Sequence, residues 1–205
     1  MTTLIIARHG NTFNPGDTVT YVGARTDLPL VDSGRDQAKA IGRYIKDNRL
    51  IPDAVYASGL KRAQETATIA VKESGVSNPV FTLDLFNEID YGPDENKTRD
   101  EIIARIGAPA LKNWDENNVA PPGWNADANQ IIRNWLDFAD QASAYDDNET
   151  VLVVTSNGIA RFAPYVTGDF ETFRAVHNPK LATGALAIFK HSGVKWTIEG
   201  WNIKP

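Results

Sequence analysis

The sequence predicts an α/β fold in three layers: a mainly parallel β-sheet flanked by helices. Three observations carry this. Apolar runs of strand length at residues 4–7, 54–57 and 150–155 hold several β-branched residues and end abruptly in polar turns. Stretches with apolar residues at helical spacing separate them, and that alternation is the pattern of a parallel sheet covered by helices. The chain has 205 residues, 42% of them hydrophobic and 23% charged, which is enough for one sizeable core.

The elements follow in order. Residues 4–7 read as a buried strand that opens into Arg8-His9-Gly10. Residues 11–31 form a polar, glycine-bearing loop, and Asp32-Ser33-Gly34 supplies N-cap candidates for a helix whose apolar face holds Ala38, Ile41 and Ile45. Pro52 and Asp53 break it, and residues 54–57 form a second short strand. Ser58-Gly59-Leu60-Lys61-Arg62-Ala63-Gln64-Glu65-Thr66-Ala67 leads into the next helix. Residues 80–86 read as a third strand, followed by Asn87-Glu88-Ile89-Asp90-Tyr91-Gly92. Helices are expected over 98–106 and 127–142, with a loop at Ala120-Pro121-Pro122-Gly123-Trp124 between them. Trp114, Trp124 and Trp135 are expected to pack rather than to touch a ligand. Residues 150–155 give the strongest strand signal, Ser156-Asn157-Gly158 ends it, and a helix is expected over 159–165. Residues 182–189 and 195–201 read as two last strands joined by a turn at His191-Ser192-Gly193.

Composition narrows the function. The net charge of −5 argues against nucleic acid as the main partner. No apolar run reaches membrane-spanning length. The absence of cysteine rules out a disulfide framework or a thiolate metal site, and with no signal segment ahead of the first strand a cytoplasmic setting is expected. His9, His177 and His191 have no i,i+4 pairing, so no metal is expected, and no cofactor is implied.

The residues that carry chemistry lie at strand ends, where α/β sheets bind ligands. Arg8 and His9 follow the first strand, Arg62 the second and Glu88 the third. Arginine presents a planar fork of donors suited to phosphate oxygens. A neutral imidazole held by one nitrogen can attack with the other. A carboxylic acid kept protonated by its surroundings can deliver a proton to a leaving oxygen. Together these groups describe metal-free phosphoryl transfer.

Arg8-His9-Gly10-Asn11-Thr12, the run from Ser58 to Ala67, the acidic segment from Glu88 to Gly92 and the turn after residue 155 stand in the order found in the histidine phosphatase superfamily, the phosphoglycerate mutase-like proteins, which the chain resembles over nearly its whole length. The resemblance implies a phosphoglycerate mutase-like fold in a single domain over 1–205, with a variable excursion at about 90–148 that covers the site. It implies His9 as the nucleophile, Arg8 and Arg62 as ligands of the phosphoryl oxygens, and Glu88 as proton donor and later base. Asn14 is a further candidate for phosphate binding, although it lies closer to His9 than the family's asparagine does. One departure is marked. The family carries a second histidine in a Ser-His-Gly-like turn, where this chain has Thr155-Ser156-Asn157-Gly158. Counting back from Arg161, Ser156 takes its place; anchoring on Gly158, Asn157 does. Either can donate a neutral hydrogen bond, so both are candidates for the phosphate cradle. His177, before Pro179, is expected to be a turn residue and not a replacement.

The function implied is a phosphatase of a small phosphomonoester acting through a phosphohistidine, slowed by the missing histidine. The alternative is a non-catalytic phospholigand-binding or regulatory protein. A mutase is disfavoured, because the excursion is modest and little chain remains after the last strand to close over an intermediate.

Overall fold

The structure, a computed structural model, describes residues 1–144 and 149–205. Six strands among these residues form one sheet: β1 (Thr2–Arg8), β2 (Ala54–Ala57), β3 (Val80–Thr82), β4 (Thr150–Thr155), β5 (Leu186–His191) and β6 (Trp196–Ile203). They lie in the order β3-β2-β4-β1-β5-β6. The pairs β3–β2, β2–β4 and β4–β1 are parallel, while β1–β5 and β5–β6 are antiparallel. The parallel portion therefore occupies one side of β1, and a hairpin completes the other. β1 and β4 sit at the centre because their apolar residues are buried on both faces, which only inner strands can satisfy.

Among the described residues seven helices surround the sheet: α1 (Asp32–Asp47), α2 (Lys61–Ser74), α3 (Arg99–Ile106), α4 (Ala108–Asn117), α5 (Ala128–Ser143), α6 (Asn157–Ala160) and α7 (Phe170–Val176). Two apolar clusters divide the core. On one face Ile5, Ala7, Val55, Ala57, Leu152 and Val154 pack with Ile41 and Ile45 of α1 and Ala63 and Ala67 of α2. On the other, Leu4, Ile6, Val151 and Val153 pack with Phe86, Trp135 and Phe138.

Several boundaries differ from the sequence expectation. β3 stops at Thr82 and a 3-10 turn follows over Asp84–Phe86, because Asn87 N–H bonds back to the Asp84 carbonyl and turns the chain toward the sheet end. α1 starts at Asp32 with Val31 as N-cap and no side-chain cap. Gly34 lies inside that helix, where an added Cβ would fall 2.2 Å from the Asn11 carbonyl oxygen. The helix expected over 159–165 is two pieces, α6 and a 3-10 turn over Ala163–Thr167, broken where Pro164 removes a donor. β5 begins at Leu186 rather than 182, because 182–185 form a turn whose Gly184 N–H bonds the His9 carbonyl. α4 and α7 were not anticipated. Trp114, Trp124 and Trp135 are all buried, so none lines an entrance.

The excursion contains α3, α4 and α5. A capping box at Thr98 and Glu101 starts α3, and Asp127 caps α5. Asp94, buried, receives hydrogen bonds from the Arg105 guanidinium and from Trp124 Nε1 at 2.7 Å, and ties this segment together. Residues 145–148, where the expected excursion ends, lie outside the described residues.

Candidate active site

The site forms where β1, β2 and β4 end side by side. Arg8 pairs in register with Thr155, so His9 and Ser156 leave neighbouring strand ends together, and His9 N–H donates to the Thr155 carbonyl. Gly10 must be glycine, since a Cβ there would lie 2.2 Å from the Gly34 carbonyl oxygen. Its N–H donates to Thr66 Oγ1 at 3.1 Å, and that hydroxyl donates to the Arg62 carbonyl at 2.7 Å. Thr66 thus locks the turn after His9 to the first turns of α2, from which Arg62 projects.

His9 is buried. Its Nδ1 lies 2.8 Å from the Gly10 carbonyl oxygen, which can only accept, so Nδ1 carries the proton. Nε2 then holds the lone pair, and Arg62 Nε–H donates to it at 3.2 Å. Burial, then Arg62, then Arg8 hold the imidazole pKa well below the usual histidine range, against a smaller opposing effect of the Gly10 carbonyl. The ring is neutral at pH 7, and the electron pair of Nε2 accepts from Arg62.

Arg62, fully buried, spends much of its fork on a loop: Nη1 donates to the Thr26 carbonyl at 2.9 Å and Nη2 to those of Val22 and Gly23 at 3.2 and 3.3 Å. Glu95 fixes that loop, accepting from Gly23 N–H, Arg25 N–H and Thr26 Oγ1 through one oxygen and from Tyr91 N–H through the other. Arg8 donates through Nη1 to the Leu181 carbonyl at 2.8 Å, while its Nε is buried without a partner.

Glu88 is buried and accepts from Ile89 N–H at 2.8 Å, Gly158 N–H at 3.1 Å and Tyr91 Oη at 3.4 Å. Burial raises its pKa, opposed by the Gly158 and Ile89 N–H groups and then by Arg62 and Arg8. A Cβ on Gly158 would sit 2.1 Å from Glu88 Oε1, so only glycine lets the start of α6 approach the carboxyl.

The remaining candidates separate. Ser156 is fully buried, caps α6 without a side-chain bond, and its Oγ has no partner. Asn157 turns away, accepting through Oδ1 from Leu181 N–H at 3.0 Å. It therefore steadies the segment whose carbonyl holds Arg8. Asn14 is exposed in a turn closed by Asp17. His177 is exposed, its ring 5.2 Å from Phe173. Sequence reasoning did not single out Thr66, Glu95 or the Leu181 carbonyl. Thr66 stood within a quoted motif, but its hydrogen bond to Gly10 spans 56 positions and leaves no local signal.

The family model for the histidine phosphatase superfamily (branch 1) matches residues 4–204. An uncharacterized phosphatase, PhoE, of Bacillus subtilis is 26% identical over 99% of this chain and 95% of its own length. A 2,3-bisphosphoglycerate-dependent phosphoglycerate mutase of Clavibacter sepedonicus is 27% identical over 93% of this chain and 72% of its own. Among solved structures, Bacillus stearothermophilus YhfR shares the fold with a TM-score of 0.78 at 24% identity, covering 98% of this chain and 97% of its own. A phosphoserine phosphatase of Entamoeba histolytica, solved with phosphoserine, aligns with a TM-score of 0.76 at 21% identity over 100% of this chain and 98% of its own.

Proposed function

The chain belongs to the histidine phosphatase superfamily, branch 1, and on that premise we propose that it is a cytoplasmic, metal-independent phosphatase of a small phosphomonoester. The observation that carries the proposal is the pairing of a neutral His9, its tautomer set by Gly10, with a buried Glu88 whose pKa is raised. In the first step His9 Nε2 forms a bond to phosphorus, the ester P–O bond breaks, and Glu88 gives its proton to the leaving oxygen. In the second, Glu88 takes a proton from water as the water oxygen bonds phosphorus and the N–P bond breaks. Arg8 and Arg62 hold the equatorial oxygens, with Arg62 Nε passing from His9 to the phosphoryl group. Ser156 is a neutral donor to the same group, and Asn157 steadies Arg8 through Leu181. Asn14 is an outer phosphate contact in this reading, and the excursion at about 90–148 of a single domain covers the site. A screen over phosphorylated metabolites with the His9→Ala variant as control tests the reading; equal release of phosphate by both proteins overturns it.

A second reading, a phospholigand-binding protein without turnover, is favoured by one observation: the turn in which the resemblance implies a second histidine holds Ser156 and Asn157, neither of them charged. Losing such a donor costs about 2.7–4 kcal/mol of barrier by analogy with oxyanion-hole deletions. Ser156→His is therefore expected to raise kcat by up to roughly 10²- to 10³-fold with a smaller change in KM, since the contact strengthens in the transition state. Asn157→His is expected to lower activity, because it removes the acceptor for Leu181 N–H. Matched kinetics of the two variants decide; a gain in Asn157→His alone moves the missing histidine one residue along.

Among the described residues no three His, Asp or Glu side chains gather to hold a metal ion. Activity is expected to be unchanged in a chelator. Loss in chelator, restored by a divalent cation, would overturn the mechanism.

A further inference from the structure

We infer that Ser58 is a further phosphate-contacting residue, a hydroxyl donor that works with Ser156 on the phosphoryl group. The inference rests on the proposed phosphoryl-transfer reading and adds a contact to it. Among the described residues, three buried side-chain polar atoms have no hydrogen-bond partner: Arg8 Nε, Ser58 Oγ and Ser156 Oγ. Buried polar groups are nearly always paired, and an unpaired one opposes folding. These three are not scattered. Arg8 ends β1, while Ser58 and Ser156 follow directly on β2 and β4, and the three strands are neighbours in the sheet.

The register says which way they face. Ala57 pairs with Val154 and Arg8 with Thr155, and Ser58 N–H donates to the Val154 carbonyl at 3.1 Å, carrying the ladder one step further. Ala7, Ala57 and Val154 all belong to the core beneath α1 and α2. Strand alternation then turns Arg8, Thr155 and Ser58 to the opposite face. Thr155 bears this out, since its hydroxyl donates at 2.6 Å to the carbonyl of Phe86, two residues before Glu88. Ser58 is fully buried on that Arg8–Glu88 side. Alternation puts Ser156, whose backbone is still extended, on the side of His9.

A phosphoryl group in flight spreads charge over three equatorial oxygens. Three fixed donors not otherwise used, one cationic and two neutral, end three adjacent strands. The two hydroxyls flank the group from opposite sides of the sheet end.

The test titrates inorganic phosphate by calorimetry into the wild type, Ser58→Ala, Ser58→Cys and Ser156→Ala, and records the ligand-free melting temperature of each. Cysteine is somewhat larger and is a weak donor, while alanine is smaller and donates nothing, so a shared loss of affinity in the two is not an effect of volume. Both Ser58 variants are expected to weaken phosphate binding roughly tenfold, about 1.4 kcal/mol, without lowering the ligand-free melting temperature, because the lost hydroxyl had no partner. Wild-type phosphate affinity in both Ser58 variants, with Ser156→Ala weakened, overturns the contact and leaves the site reading intact. A lower melting temperature with unchanged affinity assigns Ser58 to packing and overturns it too. A wild type that binds no phosphate overturns the phosphatase reading itself.

Discussion

His9→Ala is expected to abolish phosphatase turnover, with kcat down by at least about 10³-fold, the scale on which removal of a covalent nucleophile acts. The reason lies in how few alternatives the site offers. His177 is exposed against Phe173, and Ser156 Oγ is buried with no hydrogen-bond partner, so no base activates its hydroxyl. The same environment that makes His9 a nucleophile keeps it neutral: burial and the two guanidinium groups disfavour the imidazolium. The acid limb of wild-type kcat/KM is accordingly expected well below pH 6.5, since the active, neutral form persists until the depressed pKa is reached. Phosphate binding is expected to survive in His9→Ala, because Arg8 and Arg62 remain and Arg62 Nε is released from the imidazole. Quench of the wild type with substrate in alkaline detergent, which preserves an acid-labile N–P bond, should trap a phosphoenzyme that the variant does not form. A variant with wild-type turnover would sink the phosphohistidine route, whatever it did to binding.

The strand ends were legible in the sequence because their chemistry is abrupt. An apolar run that stops at Arg8-His9 leaves a charged and a titratable group where a buried strand meets a turn. Glu88 was legible in position, but the reason for its elevated pKa was not. That depends on tertiary burial, which outweighs the opposing hydrogen bond from Gly158, 70 positions away. The competition between Ser156 and Asn157 was likewise open in the sequence, where both are small donors on one turn. Packing separates them: one hydroxyl is buried with no partner, and the other side chain is committed to Leu181. Local rules also misplaced β3 and missed α4 and α7. In β3 the apolar residues at 83–86 continue a strand-like pattern, yet a 3-10 turn redirects them so that Phe86 enters the core and Thr155 finds its carbonyl. α4 begins with Ala108-Pro109, and its proline reads as a breaker unless the start is already known to be there.

Glu88→Gln is expected to lower kcat by about 10²- to 10⁴-fold, the range for a positioned acid–base group, and to remove the basic limb of the pH profile. In the wild type Glu88 must be protonated to deliver a proton to the leaving oxygen. Its pKa is raised chiefly by burial, so kcat/KM is expected to hold above the ordinary carboxylate range and to fall as pH passes the raised value. Stability follows the same sign. Between the unfolded and folded pKa values the native state holds the extra proton, so Glu88 supports the fold at low pH and that support is lost as pH rises through the folded value. Glutamine does not titrate, and its amide fits imperfectly. Ile89 N–H and Gly158 N–H approach opposite oxygens, so the NH₂ group must face one of these donors, at a cost of about 1–3 kcal/mol. The variant should melt lower than the wild type at low pH, with the gap narrowing as pH rises and wild-type Glu88 ionises. An aryl phosphate with a good leaving group separates chemistry from folding, because it needs no proton on departure. Glu88→Gln should recover part of its first-step rate with such a substrate but not with an alkyl phosphate. Equal loss on both substrates would move the proton donor to another residue, and Tyr91, whose hydroxyl lies 3.4 Å from Glu88, is the group to test next.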